Sequence, residues 1–273
     1  MDFSKRHGHG NDFLIQLVSP FVEGYSSDIA KQLCDRRRGI GADGLIVGTV
    51  DEDSPETPRM VLFNADGSRA EMSGNGIRCL AHAIFDGYFR PKGVSEKTFS
   101  ITTDAGIKRV DVKGVVDPME IYASVDMGPL GGVIEDGIGI RVDMGNPHLV
   151  IICDESDHPA PDEVAEKGSE LQGVLPGGIN VEWLSATDLG EYVFRMSVYE
   201  RGVGPTLACG TGSCASFLAA RHLGLTNDRA TIINPGGALQ TEAVDGRLIL
   251  GGPSRVVCTI SSVNVSVSVG DRA

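Results

Sequence analysis

Three short segments of this chain return, in the same order, after about half its length. Ala70-Glu71-Met72-Ser73-Gly74-Asn75-Gly76 is echoed by Thr206-Leu207-Ala208-Cys209-Gly210-Thr211-Gly212. Gly10-Asn11-Asp12 is echoed by Gly145-Asn146-Pro147, and Asp104-Ala105-Gly106-Ile107 by Gly236-Gly237-Ala238-Leu239. One Gly-Asn pair marks a turn and carries little weight. Three echoes at nearly constant separation point instead to a duplicated unit. At roughly 100–200 residues per domain, the 273 residues suit two such halves. The expected division is 1–117, with 260–273 returning to it, and 118–259.

Glycine or proline punctuation divides the chain into short β-rich runs at 13–18, 44–50, 60–63, 100–103, 121–126, 140–143, 148–153, 191–199, 231–234, 248–251 and 254–269. Helical periodicity appears at 27–36 with Ser27 as its cap, at 77–89 and at 213–223. Strands outnumber helices and do not alternate with them. That excludes a doubly wound parallel sheet and predicts an α+β fold of two similar halves. Glycine, at 36 residues without any repeat period, fits a turn-rich β architecture with glycine-lined sites. Each of the two most similar loops opens one of the better helices.

Composition excludes several functions. With 24 basic and 37 acidic side chains the formal charge is −13, which argues against a nucleic-acid surface. Residues 149–153 form the longest apolar run, far below the roughly 18 of a membrane span. The opening Met1-Asp2-Phe3-Ser4-Lys5-Arg6 lacks the apolar core of a signal peptide. The expectation is a cytoplasmic protein that binds neither membrane nor nucleic acid, its six cysteines reduced.

A helix N-terminus presents unpaired N–H groups and about half a positive charge. The loops Ser73-Gly74-Asn75-Gly76 and Cys209-Gly210-Thr211-Gly212 are therefore suited to hold a carboxylate or phosphate. The same field is expected to lower the thiol pKa of Cys209 and favour a thiolate able to act as base or nucleophile. The alternative, a small buried residue at a helix start, is weakened by the paired loops. A site in the cleft between two such halves is the default expectation. Other motifs fail on context. Gly39-Ile40-Gly41-Ala42-Asp43-Gly44 matches a dinucleotide fingerprint by letter, but its strand follows instead of preceding it. His7 and His9 have no cysteines near them, so zinc spacing is absent. Cys209 is followed only by His222, on its own helix, with no later His and Asn pair for a papain-type relay. The acidic clusters 51–53 and 154–157 read as solvated loops.

Over essentially the whole chain these residues resemble the diaminopimelate epimerases. The resemblance is carried by His7-Gly8-His9-Gly10-Asn11-Asp12-Phe13, by Asp35-Arg36-Arg37 with the 39–44 loop, and by Asn64-Ala65-Asp66-Gly67-Ser68 running into Gly74-Asn75-Gly76-Ile77-Arg78. Gly145-Asn146-Pro147-His148, Asn180, Tyr199-Glu200-Arg201-Gly202 and Ala208-Cys209-Gly210-Thr211-Gly212 continue it. The resemblance implies two pseudo-symmetric halves, each a β-barrel-like mixed sheet around a central helix. It implies epimerisation of LL- to meso-diaminopimelate in lysine and peptidoglycan precursor synthesis, in a homodimer, with no pyridoxal phosphate, metal or other cofactor. One cysteine from each half faces the substrate α-carbon; one removes the proton as thiolate and the other returns a proton to the opposite face. Amides around Gly74-Asn75 and Gly210-Thr211 would hold the reacting carboxylate, where carbanion charge develops. Asn64, Asn180 and Arg201 would read the distal end with Asn11 and Asn146 nearby, and Glu200 and His148 would receive the reacting amino group.

One position departs from the family pattern. Ser73 stands where the first catalytic cysteine is expected. A hydroxyl is a far weaker acid than a thiol and a poor proton donor to a carbanion. Cys79, six residues on and inside the helix, is no replacement. Three readings stay open: a change introduced to trap substrate, a natural epimerase that works slowly or through water, and a one-base lyase or dehydratase. A binding protein without catalysis on the same scaffold is the rival from a different class.

Overall fold

The computed structural model describes residues 1–19, 25–135 and 137–263. The chain forms two compact units, one from Met1–Gly8, Asp12–Ala123 and the chain from Pro253, the other from His9–Asn11 and Ser124–Gly252.

The first unit contains β1 (Phe3–Gly8), β2 (Asn11–Val18), α1 (Ser27–Cys34), β3 (Gly44–Thr49), β4 (Arg59–Asn64), β5 (Arg69–Ala70), α2 (Gly74–Ile84), β6 (Lys97–Thr103) and β7 (Gly106–Asp117). Two strands that pass between the units, β8 (Glu120–Pro129) and β17 (Arg247–Ile260), complete its sheet. Eight strands close into a barrel in the order β1, β2, β3, β4, β6, β7, β8, β17. β3 reads Gly-Leu-Ile-Val-Gly-Thr, buried on both faces and parallel to β2, as an apolar run without alternation should be. All eleven residues of α2 are buried, which a helix achieves only when walls surround it.

The second unit contains β9 (Val133–Glu135), β10 (Ile140–Asp143), β11 (Pro147–Ile152), α3 (Glu163–Leu171), β12 (Asn180–Ala186), β13 (Val193–Glu200), β14 (Gly204–Pro205), α4 (Gly210–His222), β15 (Arg229–Asn234) and β16 (Gly237–Val244). Its pairings repeat those of the first: β11 parallel to β12, β12 antiparallel to β13, β13 parallel to β15, β15 antiparallel to β16. α4 packs against β10 to β13, β15 and β16, and its residues from Gly212 to Ala220 are buried.

Several expectations need correction. Ser26, not Ser27, caps α1, its Oγ accepting from the Ile29 amide at 3.4 Å. The helix stops at Cys34 because Asp35 turns extended and its carboxylate accepts from the amides of Arg37 and Arg38. α2 and α4 each begin three residues before the expected start, since the capping residue lies in the loop. Past Ile84 the chain loosens into a π-helical turn, Phe85–Phe89. Strands β1, β5, β7, β9, β12, β14 and β16 and the largely exposed α3 lie outside the runs expected from sequence. The expected runs 248–251 and 254–269 are one strand up to Ile260, and 264–269 lie outside the described residues. The expected return of 260–273 likewise lies outside them from 264 on.

A buried polar knot closes the C-terminal end of α2. Asp86 accepts from Arg6 Nη1 at 2.9 Å and lies 2.8 Å from Arg90 Nε. His82 Nδ1 is 3.0 Å from Ser254 Oγ. Burial, and then the guanidinium groups of Arg6 and Arg90, push His82 down to about 2. Its 3.3 Å approach to Asp86 is therefore the contact of a neutral ring.

Candidate active site

The two repeated loops fold alike. Ser73 (φ −136°, ψ 126°) caps α2, and Cys209 (φ −117°, ψ 114°) caps α4. Ser73 Oγ accepts from the Gly76 amide at 3.1 Å, and Cys209 Sγ from the Gly212 amide at 3.3 Å. The third residue of each helix is glycine, wedged between the cap and a side chain of the neighbouring strand. A Cβ on Gly76 would sit 3.2 Å from Ser73 Cβ, and one on Gly212 3.2 Å from Cys209 Sγ. Gly74-Asn75 and Gly210-Thr211 supply first-turn amides, which have no partner inside their own helix.

The surroundings of the two caps differ sharply. At Gly76 the same hypothetical Cβ meets Ile46 Cδ1 at 3.0 Å and Phe13 Cζ at 3.3 Å; at Gly212 it meets Glu182 Oε1 at 2.7 Å. Strand register extends the comparison. Asn180 precedes Glu182 by one side-chain repeat and pairs with His148 on β11, while Glu182 pairs with Val198 on β13, two residues before Glu200. In the first unit the corresponding ladders pair Phe13 with Gly44 and Gly44 with Asn64, with Ile46 one repeat beyond Gly44. His148, Glu182 and Glu200 thus stand where the first unit has Phe13, Ile46 and Asn64. Period-two alternation directs the polar set of β11, β12 and β13 to one buried face.

That set is bonded together. His148 Nδ1 lies 2.6 Å from Glu182 Oε1 with both side chains fully buried, and His148 Nε2 lies 3.1 Å from Asn146 Oδ1. Glu200 accepts from the Thr206 hydroxyl. Asn180 is engaged at both ends, Nδ2 donating to the Pro147 carbonyl and Oδ1 accepting from the Arg201 amide, so it holds the backbone beneath Arg201. The Arg201 guanidinium is exposed and makes no ion pair among the described residues; Nη1 reaches the Gly177 carbonyl at 3.4 Å. Asn234 Oδ1 accepts from the Cys209 amide, and Ser213 Oγ donates to the Cys209 carbonyl at 2.9 Å. Asn11 is half-buried at the start of β2. In the first unit Asn64 is exposed and donates to Ser68 Oγ, while buried Asn75 accepts from Arg78 Nη2.

One electrostatic expectation is overturned. The Cys209 thiol pKa is raised well above its usual value, not lowered. Burial is the main cause, followed by the carboxyl groups of Glu200 and Glu182; the Thr211 hydroxyl and Gly212 amide oppose them without prevailing. Glu200 is itself pushed up by burial, with Glu182 adding to the shift. Glu182, Thr206 and Asn234 went unrecognised in sequence. Glu182 carried one signal, a carboxylate flanked on both sides by apolar residues in Val181-Glu182-Trp183-Leu184.

A family model for diaminopimelate epimerase matches residues 3–131 and 140–256. The chain is 34% identical to diaminopimelate epimerase of Clostridium perfringens, with 94% of this chain and 98% of that protein covered. It is 37% identical to diaminopimelate epimerase of Corynebacterium aurimucosum, with 95% and 98% covered. Among solved structures, a hydroxyproline epimerase from Agrobacterium vitis superposes with a TM-score of 0.64 at 15% identity, covering 95% of this chain and 91% of that one.

Proposed function

The chain belongs to the diaminopimelate epimerase family, and from that premise we propose how its residues interconvert LL- and meso-diaminopimelate. The enzyme is an isomerase of lysine biosynthesis. The observation that carries the assignment of residues is Cys209 at the cap of α4, beside Glu200 and the first-turn amides. The thiolate of Cys209 takes the α-proton, and the C–H electron pair moves into the substrate carboxylate as an enediolate. Amides of Gly210 and Thr211 stabilise that charge, as do those of Gly74 and Asn75, in the manner of an oxyanion hole. Reprotonation on the opposite face regenerates the α-carbon with inverted configuration. Ser73 holds the cap from which that proton is delivered, slowly, by its hydroxyl or a water bonded to it; solvent returns the proton lost there and takes up the one that Cys209 removed.

The raised pKa of Cys209 supports a substrate-gated base. In the free enzyme Glu200 and Glu182 oppose the thiolate. A substrate ammonium ion received by Glu200 and His148 offsets that opposition and makes deprotonation easier when the α-proton is in place. Arg201, with Asn64, Asn180, Asn11 and Asn146, reads the distal amino-acid end; the planar guanidinium suits a carboxylate. The names of the relatives favour epimerisation over the lyase and binding-only alternatives. We place the enzyme in the cytoplasm as a homodimer on the family resemblance; no helix among the described residues is long and apolar enough to cross a membrane.

The test is proton exchange in D₂O. LL-diaminopimelate incubated with the protein should gain α-deuterium and yield the meso isomer, and Cys209→Ser should abolish both. Exchange persisting at the parent rate in that variant would remove Cys209 from the mechanism.

A further inference from the structure

Glu182 has no assigned part in the reaction, yet it is a fully buried carboxyl group at the centre of the Cys209 cluster. Burying such a group is costly, and a buried ion pair is weak evidence of stabilisation. The first unit shows that the fold does not need a carboxyl there. At the same point in the barrel, against the corresponding glycine, it places Ile46. Packing alone is thus met by an aliphatic side chain. The Glu182 carboxyl is also incompletely bonded for a structural role, since Oε1 meets His148 Nδ1 at 2.6 Å while Oε2 has no partner among the described residues. Its approach is accommodated specifically, because any side chain at position 212 would collide with Oε1.

We propose that Glu182 is a positioning residue for the epimerisation. Its Oε1 accepts from the Nδ1–H edge of His148 and holds the ring inward, which leaves Nε2 as the acceptor that meets the substrate's reacting amino group; the Asn146 amide, 3.1 Å away, faces that acceptor through its NH₂ once its two ends are exchanged. The hydrogen bond at one ring nitrogen decides which tautomer the other presents. The ring is held from two strands at fixed register: His148 pairs with Asn180 on the neighbouring strand, and Glu182 follows one repeat later on the same face. A single side chain therefore fixes both the tilt of the imidazole and the nitrogen that meets substrate. The groups facing this pair are Glu200 from β13, Cys209 from α4 and Asn146 from the turn before β11. Both titratable neighbours, Glu200 and Cys209, feel Glu182 as an added negative charge. The inference rests on the reading that His148 and Glu200 receive the amino group.

The experiment combines a spectroscopic and a kinetic arm on the full chain. Imidazole ¹⁵N spectra of the parent should show His148 protonated at Nδ1 near neutral pH, and Glu182→Gln should move its ring resonances. In D₂O with diaminopimelate, Glu182→Gln should lower the α-exchange kcat by about 10²-fold or more, with KM changed much less, as expected when the group orienting a catalytic imidazole loses its charge. Glu182→Asp, which keeps the charge on a shorter arm, should recover part of the loss. A parent His148 unprotonated at Nδ1, or a Glu182→Gln protein with unchanged resonances and exchange, would overturn the proposal. Should Glu182→Gln fail to fold, the parent spectrum and Glu182→Asp decide the matter. If the parent exchanges no α-proton yet shows the Nδ1–H ring shifted by Glu182→Gln, the reaction assigned to the site fails and the hydrogen-bond assignment survives.

Discussion

Replacing Ser73 with cysteine should raise the rate of epimerisation by about 10²–10⁴-fold, the usual contribution of a well-placed general acid or base. Ser73 and Cys209 share backbone geometry and the same hydrogen bond from the third helical residue, so a thiol at 73 enters a cap that its counterpart already fits. Its electrostatic surroundings are gentler. Where Cys209 meets Glu182, the loop at 73 meets Ile46 and Phe13, so no carboxyl from those positions opposes a thiolate. The new thiol should therefore ionise at lower pH than Cys209, which alkylation rates of the two peptides, followed by mass spectrometry across pH, would show. The cost to stability should be small, about 1 kcal/mol or less for a weaker cap and hence a few degrees in Tm. The assay follows deuterium uptake and stereochemistry from LL- and meso-diaminopimelate separately. With serine at 73 the parent should exchange the α-proton of one isomer faster than it inverts either; with cysteine the two rates should converge. Equal, fast inversion in both directions by the parent, with no gain from cysteine, would refute this reasoning and make Ser73 a competent partner.

Other outcomes follow from the same geometry. Arg201→Lys should weaken diaminopimelate binding about ten- to a hundred-fold, the loss of one charged hydrogen bond, with little change in Tm since the guanidinium is exposed and its hydrogen bond among the described residues is a long one to Gly177. Isothermal calorimetry with thermal melts separates the two effects, and a matching drop in stability would favour a structural role. Glu200→Gln should move the alkaline rise of Cys209 alkylation to lower pH, because it removes one of the two carboxyl groups that hold the thiol protonated; an unmoved or upward-shifted midpoint contradicts that cause. His82 is neutral in the folded protein, pushed down from 6.5 to about 2, whereas the unfolded chain takes up a proton near 6.5. Stability should be fully present above that pH and fall as pH drops below it, by up to about 1.4 kcal/mol per unit. Urea midpoints at pH 7 and pH 4 for the parent and His82→Leu check this, since the variant should lose that part of the slope.

Residues close in the chain announced themselves in the sequence. The echoed loops, the glycine at the third position of each helix and the capping side chains all act within one turn, so their letters predict a repeated strand-rich half opened by two helix starts. The same locality explains the near misses. Ser26 and Ser27 are equally good caps by letter, and backbone direction chose between them. Strands such as β12 hid because tertiary packing buries both faces, which removes the alternation that would betray them.

The electrostatics of the site lay beyond sequence. Local reasoning at Cys209 sees a helix N-terminus and predicts a lowered thiol pKa. The tertiary structure brings Glu182 from β12 and Glu200 from β13 against the same sulfur and withdraws it from water, and these outweigh the helix. Nor could the sequence show that His148, Glu182 and Glu200 occupy positions held by Phe13, Ile46 and Asn64 in the other half. That contrast exists only through strand register, which pairs residues far apart in the chain. Caps and turns are settled by neighbours in sequence; charge, burial and ring orientation are settled by neighbours in space, and the second set decides how a repeated scaffold becomes an asymmetric active site.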